Sequence, residues 1–142
     1  MKTCTFFGHR DIAENIEPLL REVLIELIEK KGVYNFLVGN EGAFDKTVQS
    51  ELRRLKNTYG HIDFLVVLAY LPCGETKNET LYPEGLESVP KKFAIDYRNR
   101  WLIEKSNCVV SYVNRNYGGA AKFSQLAEKK GLKVINIAKI NA

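Results

Sequence analysis

Phe64-Leu65-Val66-Val67-Leu68-Ala69-Tyr70-Leu71 is an unbroken apolar run. A strand with one face in water alternates apolar and polar residues, whereas a strand buried on both faces does not. Residues 64–71 are too few for a typical helix and rich in β-branched and aromatic types, so they predict an interior strand covered on both sides. Four further strand-like runs lie at residues 3–7, 34–38, 108–113 and 133–137.

The segments between them carry helical periods. Ile16, Leu19, Leu20, Val23, Leu24, Leu27 and Ile28 form one apolar stripe, with Asn15 as the expected N-cap, Pro18 in the first turn and Gly32 as the stop. Phe44, Val48, Leu52, Leu55 and Tyr59 make a second stripe that ends at Gly60, and residues 94–105 and 120–130 read as a third and fourth helix. Strands buried on both faces and alternating with helices imply an α/β fold, a Rossmann-like three-layer sandwich with a mainly parallel five-stranded sheet. The chain of 142 residues suits one core, so residues 1–142 are expected to form a single domain. One segment breaks the rhythm: residues 72–92 hold three of the four prolines and predict either a lid or excursion beside the site or a disordered surface insertion.

Twenty-one Lys and Arg against seventeen Asp and Glu leave a formal charge of +4, a mild attraction for anions that is weaker than a dedicated nucleic-acid binder carries. Cys4, Cys73 and Cys108 are odd in number and lack metal-ligand spacing, which points to a reducing cytoplasm and to no metal site. The start Met1-Lys2 leads straight into a strand-like run, so neither a signal peptide nor a membrane span is expected.

In sheets of this type ligands sit outside the carboxyl ends of the strands, which directs attention to the turns after each strand. Gly8-His9-Arg10 follows the first. Glycine lets backbone amides approach an anion and arginine offers a planar fork of donors to phosphate oxygens, although glycine is equally the ordinary residue of a tight turn. His9 has three readings: donor to a phosphate, general base, or a ring packed on the first helix. His61 precedes the third strand and belongs to the opposite edge. Gly39, Asn40, Glu41, Gly42 and Asp45 follow the second strand where a helix begins, a place that stabilises a bound phosphate. Asp45 is a candidate for a ribose hydroxyl or simply favours the helix N-terminus. Arg98 and Arg100 point to different faces of the third helix, so one is expected to reach the ligand while the other pairs with Asp96 or Glu104. Trp101 reads as core. Gly118 and Gly119 open the fourth helix and offer another oxyanion position.

Taken in order, the motifs TFFGHR, FLVGNEGAFD, RNRWLIEKSNCVVSYV and YGGAAKF resemble the YpsA-like branch of the SLOG superfamily over nearly the whole chain. That superfamily is Rossmann-like and includes the LOG phosphoribohydrolases, which cleave the base from nucleoside 5'-monophosphates, and DNA-processing protein A, which binds single-stranded DNA. The resemblance implies that Gly8, Arg10, Gly39, Gly42, Arg98, Gly118 and Gly119 line a nucleotide pocket. Arg98 stands eight residues before Ser106-Asn107, as the LOG catalytic arginine stands before a Ser-Asp pair. The LOG signature PGGxGTxxE, however, corresponds here to Gly118-Gly119-Ala120-Ala121-Lys122-Phe123-Ser124-Gln125, without the proline, the third glycine, the threonine or the glutamates. The expectation is therefore a sensor module that binds a nucleotide or NAD/ADP-ribose-like ligand, without a bound cofactor, and passes its occupancy to a partner or a second copy. The alternatives are an N-glycosidic hydrolase using Glu41, Asp45 or Glu75, and a single-stranded DNA binder.

Overall fold

The computed structural model describes residues 2–71 and 79–139. Strands β1 (Lys2–Gly8), β2 (Val33–Val38), β3 (Asp63–Val67), β4 (Thr80–Leu81), β5 (Cys108–Tyr112) and β6 (Lys133–Asn136) form one sheet in the order β4-β3-β2-β1-β5-β6. Every pairing is parallel. Among the described residues the sheet thus has six strands rather than five. The additional strand is β4, contributed by the 72–92 segment, whose described part also forms two short 3-10 turns at Leu86–Ser88 and Lys91–Phe93. The described part of that segment packs at the sheet edge: Leu86 is buried with Ala69 and Ala94. Residues 72–78, and with them Cys73 and Glu75, lie outside the described residues.

Helices α1 (Glu17–Lys31) and α2 (Gly42–Thr58) cover one face, α3 (Ala94–Lys105) and α4 (Gly119–Lys129) the other. The alternation of β1 shows the division. Cys4 and Phe6 point to the α1/α2 side, where Phe6 stacks on Phe36 with ring centroids 6.2 Å apart, while Phe7 meets Phe123 at 5.8 Å on the other. β1 is central, flanked by β2 and β5, which is why its side chains are buried on both faces. A fork of two 2.9 Å hydrogen bonds from Arg21 of α1 to the buried carboxylate of Glu51 ties α1 to α2.

Two local expectations need correction. The 64–71 run does not continue as a strand to Leu71: the ladder stops at Val67, where both neighbours run out, β2 at Val38 and β4 at Leu81, and the Val67 carbonyl instead accepts from the guanidinium of Arg98 at 3.2 Å. Tyr70 and Leu71 emerge into solvent. Asn15 lies one residue before the N-cap position, which Ile16 holds; its side-chain oxygen nevertheless accepts from the Glu17 N–H at 3.1 Å, an Asx turn leading into α1. Gly32 does close α1, in the left-handed conformation at φ 68° that glycine adopts without strain.

Candidate functional site

At the carboxyl ends of β1 and β2 the chain leaves a cleft of about 330 Å³. Its walls come from the connections after three strands and from α3: Gly8, Arg10 and Asp11 after β1, Gly39, Glu41 and Asp45 after β2, Arg115 after β5 with Gly119 and Ala120 at the start of α4, and Arg98 and Asn99 on α3. Apolar contacts come from Phe6, Phe7, Ile95 and Leu102.

Asp45 and Arg98 occupy the floor. Both are buried, and both come within 3.0 Å of where a Gly39 Cβ would be, so only glycine at position 39 leaves room for the pair. Asp45 accepts from the Glu41 N–H at 2.9 Å. Burial dominates its titration and pushes its carboxyl up to about 6, against the opposing pull of that hydrogen bond and of Arg98. Arg98 donates from Nε to Asn99 at 3.0 Å and from Nη1 to the Val67 carbonyl at 3.2 Å while lining the cleft. Burial lowers its pKa, countered by Asp45 and Glu41, and the guanidinium remains charged at any physiological pH.

The Asp45 carboxyl has a consequence for stability. Its ordinary value is 3.8, so between pH 4 and 6 the folded chain holds a proton that the unfolded chain has released. The stabilising contribution is complete below pH 4 and is lost as the pH rises through 6, about 3 kcal/mol in all. In denaturant titrations the stability of the wild type relative to Asp45→Asn is expected to fall over this window and to level off above it. A difference independent of pH would show that Asp45 titrates normally.

Nearer the mouth the charges are only loosely paired. Arg10 approaches Glu41 at 3.9 Å and Arg115 approaches Asp11 at 3.8 Å, with the Arg10 side chain 68% exposed. Exposed pairs of this length contribute at most about 1 kcal/mol. The two helix starts also differ. At α2 the Asp45 carboxylate reaches back to the N–H of Glu41, the N-cap residue, and the Ala43 N–H donates to the Arg10 carbonyl, so part of this helix start is engaged within the protein. At α4 the cap position is Gly118, at φ 93°, with no capping side chain, and Gly119 faces open space.

Of the residues expected at the site, the fold brings Gly8, Arg10, Gly39, Asp45, Arg98 and Gly119 together around one cleft. Four do not line it. His9 is buried, with its Nε2 accepting from the Asn114 N–H at 3.2 Å and its ring edge-on to Tyr112; it fastens the end of β1 to the end of β5. Burial and then Arg115 lower its pKa, keeping the imidazole neutral as that acceptor role requires. Asn40 accepts from Gln49, which also binds the Gly39 carbonyl. Gly42 sits at φ 86°, and a Cβ there would lie 2.6 Å from the Arg10 Cα; its amide neighbour Ala43 donates to the Arg10 carbonyl at 2.7 Å. Gly118 shapes the turn before α4. Arg100, as expected of one of the two arginines, pairs with Asp96, at 2.7 Å. Asp11, Asn99 and Arg115 were not singled out by the sequence. The first and last follow strands, and that position was the available signal for them.

Compared with known proteins, the chain matches no family model and no curated protein, so the chemistry of the cleft rests on its own residues.

Proposed function

We propose that the cleft binds the phosphate end of a nucleotide or NAD/ADP-ribose-like ligand, and that the chain is a small sensor domain of the SLOG type. The observation that carries this reading is the meeting of Arg10 and Arg115, both in weak, displaceable ion pairs, beside the uncapped amide end of α4. Such a set offers an oxyanion two guanidinium forks and free backbone N–H groups. The partners the arginines would give up are worth little, so an incoming phosphate competes easily. The volume is at the lower end of ligand pockets and fits a single phosphate-bearing group.

Calorimetric titration with nucleoside monophosphates, NAD, ADP-ribose and cyclic dinucleotides tests the reading, and absence of binding at millimolar ligand would sink it. Arg10→Ala is expected to weaken binding roughly tenfold to a hundredfold, the range for one lost charge-assisted hydrogen bond. Binding also has a predicted proton linkage. An anion placed near Asp45 raises its pKa further, so the complex takes up a proton and affinity increases as the pH falls from 8 to 6. Heats measured in buffers of different ionisation enthalpy report that uptake directly.

One observation favours a second reading, N-glycosidic hydrolysis. Asp45, raised to about 6, is a carboxylic acid in the range useful for proton transfer and lines the cleft beside Glu41. Free base released from nucleoside monophosphates by the wild type, and lost in Asp45→Asn with binding retained, would establish that reading in place of a purely binding role.

A further inference from the structure

At the opposite, amino-terminal edge of the sheet lies a separate cavity of about 320 Å³. Its apolar lining is Val23 and Leu27 of α1, Val33 and Ile135, and its lining also includes Lys2, Lys31 and Lys133, against one carboxylate, Glu26. Cys108, the first residue of β5, lines it too. Strand register fixes the neighbours of that thiol: Cys108 is paired with Cys4 of β1 on one side and with Lys133 of β6 on the other. Cys4 and Cys108 both belong to the core on the α1 side of the sheet, at 0% and 8% exposure.

The two thiols are not equivalent. Cys4 is sealed in the core, and burial pushes its pKa up. Cys108 reaches the cavity, and the neighbouring Cys4 thiol, followed by the ammonium groups of Lys2 and Lys133, holds its thiol below the ordinary value in spite of partial burial; the Cys4 S–H itself donates to the Thr5 carbonyl at 3.4 Å and the Cys108 S–H to the Thr3 carbonyl at 3.9 Å. A thiolate forms most readily on the sulfur that an incoming molecule can reach, with a second thiol directly behind it. Two cysteines serving only as small apolar residues would need neither this polarity nor a lysine-lined approach.

We propose that Cys108 is a thiol–disulfide exchange site, taking low-molecular-weight disulfides that bear carboxylates, with Lys2 and Lys133 receiving those carboxylates and Cys4 acting as the resolving thiol. In the first step the Cys108 thiolate attacks one sulfur of the disulfide. A Cys108 mixed disulfide forms, and the other half departs as a thiolate with the electron pair and takes a proton from water. Cys4 then gives its proton to water and attacks the Cys108 sulfur, expelling the second half. The net result is a Cys4–Cys108 disulfide and two small-molecule thiols, a two-electron oxidation of the protein by the disulfide. Neighbouring strands lie about 4.8 Å apart, within the roughly 4.4–6.8 Å that a disulfide spans between Cα atoms.

The test is intact-mass spectrometry of the folded, full chain carrying Cys73→Ser and incubated with glutathione disulfide. The expected products are a single glutathione adduct on Cys108, its conversion to a species lighter than the reduced chain by two hydrogens, or both. Cys4→Ser should retain the adduct and abolish the two-hydrogen loss, while Cys108→Ser should abolish both. The Lys2→Ala/Lys133→Ala variant should slow with both disulfides as the thiolate fraction falls, and should slow roughly fivefold more with anionic glutathione disulfide than with neutral hydroxyethyl disulfide, the difference being the loss of two ammonium groups that receive the carboxylates. No modification of the folded chain under conditions where the unfolded chain reacts would overturn the proposal. So would modification at Cys4 in place of Cys108, or a rate with glutathione disulfide indifferent to the two lysines.

Discussion

Gly8→Ala is expected to cost about 3 kcal/mol or more, lowering the melting temperature by roughly 10 °C. A Cβ at Gly8 would fall 2.1 Å from Cγ and 2.3 Å from Cδ2 of Phe44, less than a van der Waals contact by well over an ångström. Phe44 is fully buried in the first turn of α2, so its ring has no solvent to retreat into. Relief requires α2 to move away from the end of β1, and that movement would carry Glu41 and Asp45 out of the cleft. Thermal unfolding of Gly8→Ala, Phe44→Leu and the double variant provides the check. The smaller side chain should cost less in the alanine background than in the wild type, a coupling of about 1 kcal/mol or more between the two sites. Full stability of Gly8→Ala would mean that β1 and α2 do not approach as described. Gly8 thus lines the cleft, but its missing side chain is required by packing against Phe44, with no need of a ligand to explain it.

Arg98→Met is the other substitution with a large expected effect. It leaves the Asp45 carboxyl buried without the cation that faces it and deprives the Val67 carbonyl and Asn99 side chain of their donor. Losing two buried hydrogen bonds and the cation that faces a buried carboxylate should cost about 3 kcal/mol, part of it the penalty for the charge left behind. Arg98→Met/Asp45→Asn should recover much of that loss, since neither charge then remains. The deficit of the single variant should also shrink below pH 6, where Asp45 takes a proton and no longer needs a counter-charge. Denaturant titrations of the four proteins at pH 5 and pH 8 separate these terms. A double variant no more stable than the single one at pH 8 would show that Arg98 acts through its two hydrogen bonds alone.

These expectations rest on contacts of different legibility. The apolar stripes of α1 and α2 and the continuous run at residues 64–71 made the layers and the parallel sheet readable, because periodicity reports directly on which faces are covered. The end of β3 at Val67 was not readable, since it is set by where the neighbouring strands β2 and β4 end, and the partner of the Val67 carbonyl, Arg98, lies 31 residues away in the chain. β4 was hidden for a related reason: two residues of strand leave no period, and Thr80–Leu81 pair with β3 only because the excursion returns to the sheet edge.

At the cleft the division is similar. Turn residues at strand ends identified the right neighbourhood, because a parallel sheet brings all its carboxyl ends to one edge whatever the side chains are. From there the tertiary structure decided which residues share the space. His9 and Arg10 are adjacent in sequence, yet one is drawn into the sheet end by the Asn114 amide and the other is left in solvent near Glu41. Asp45 lies in the first turn of α2, a place that sequence assigns equally to ligand and helix; its carboxylate turns back onto the Glu41 N–H and is buried beside Arg98. The sequence by itself therefore determined the layered fold and the edge on which a site would form, since both follow from local periodicity and strand polarity. Only the tertiary structure decided that the α4 start opens on the cleft without a capping side chain and that Arg98 is buried facing Asp45, because burial and charge proximity arise between elements that the chain brings together from a distance.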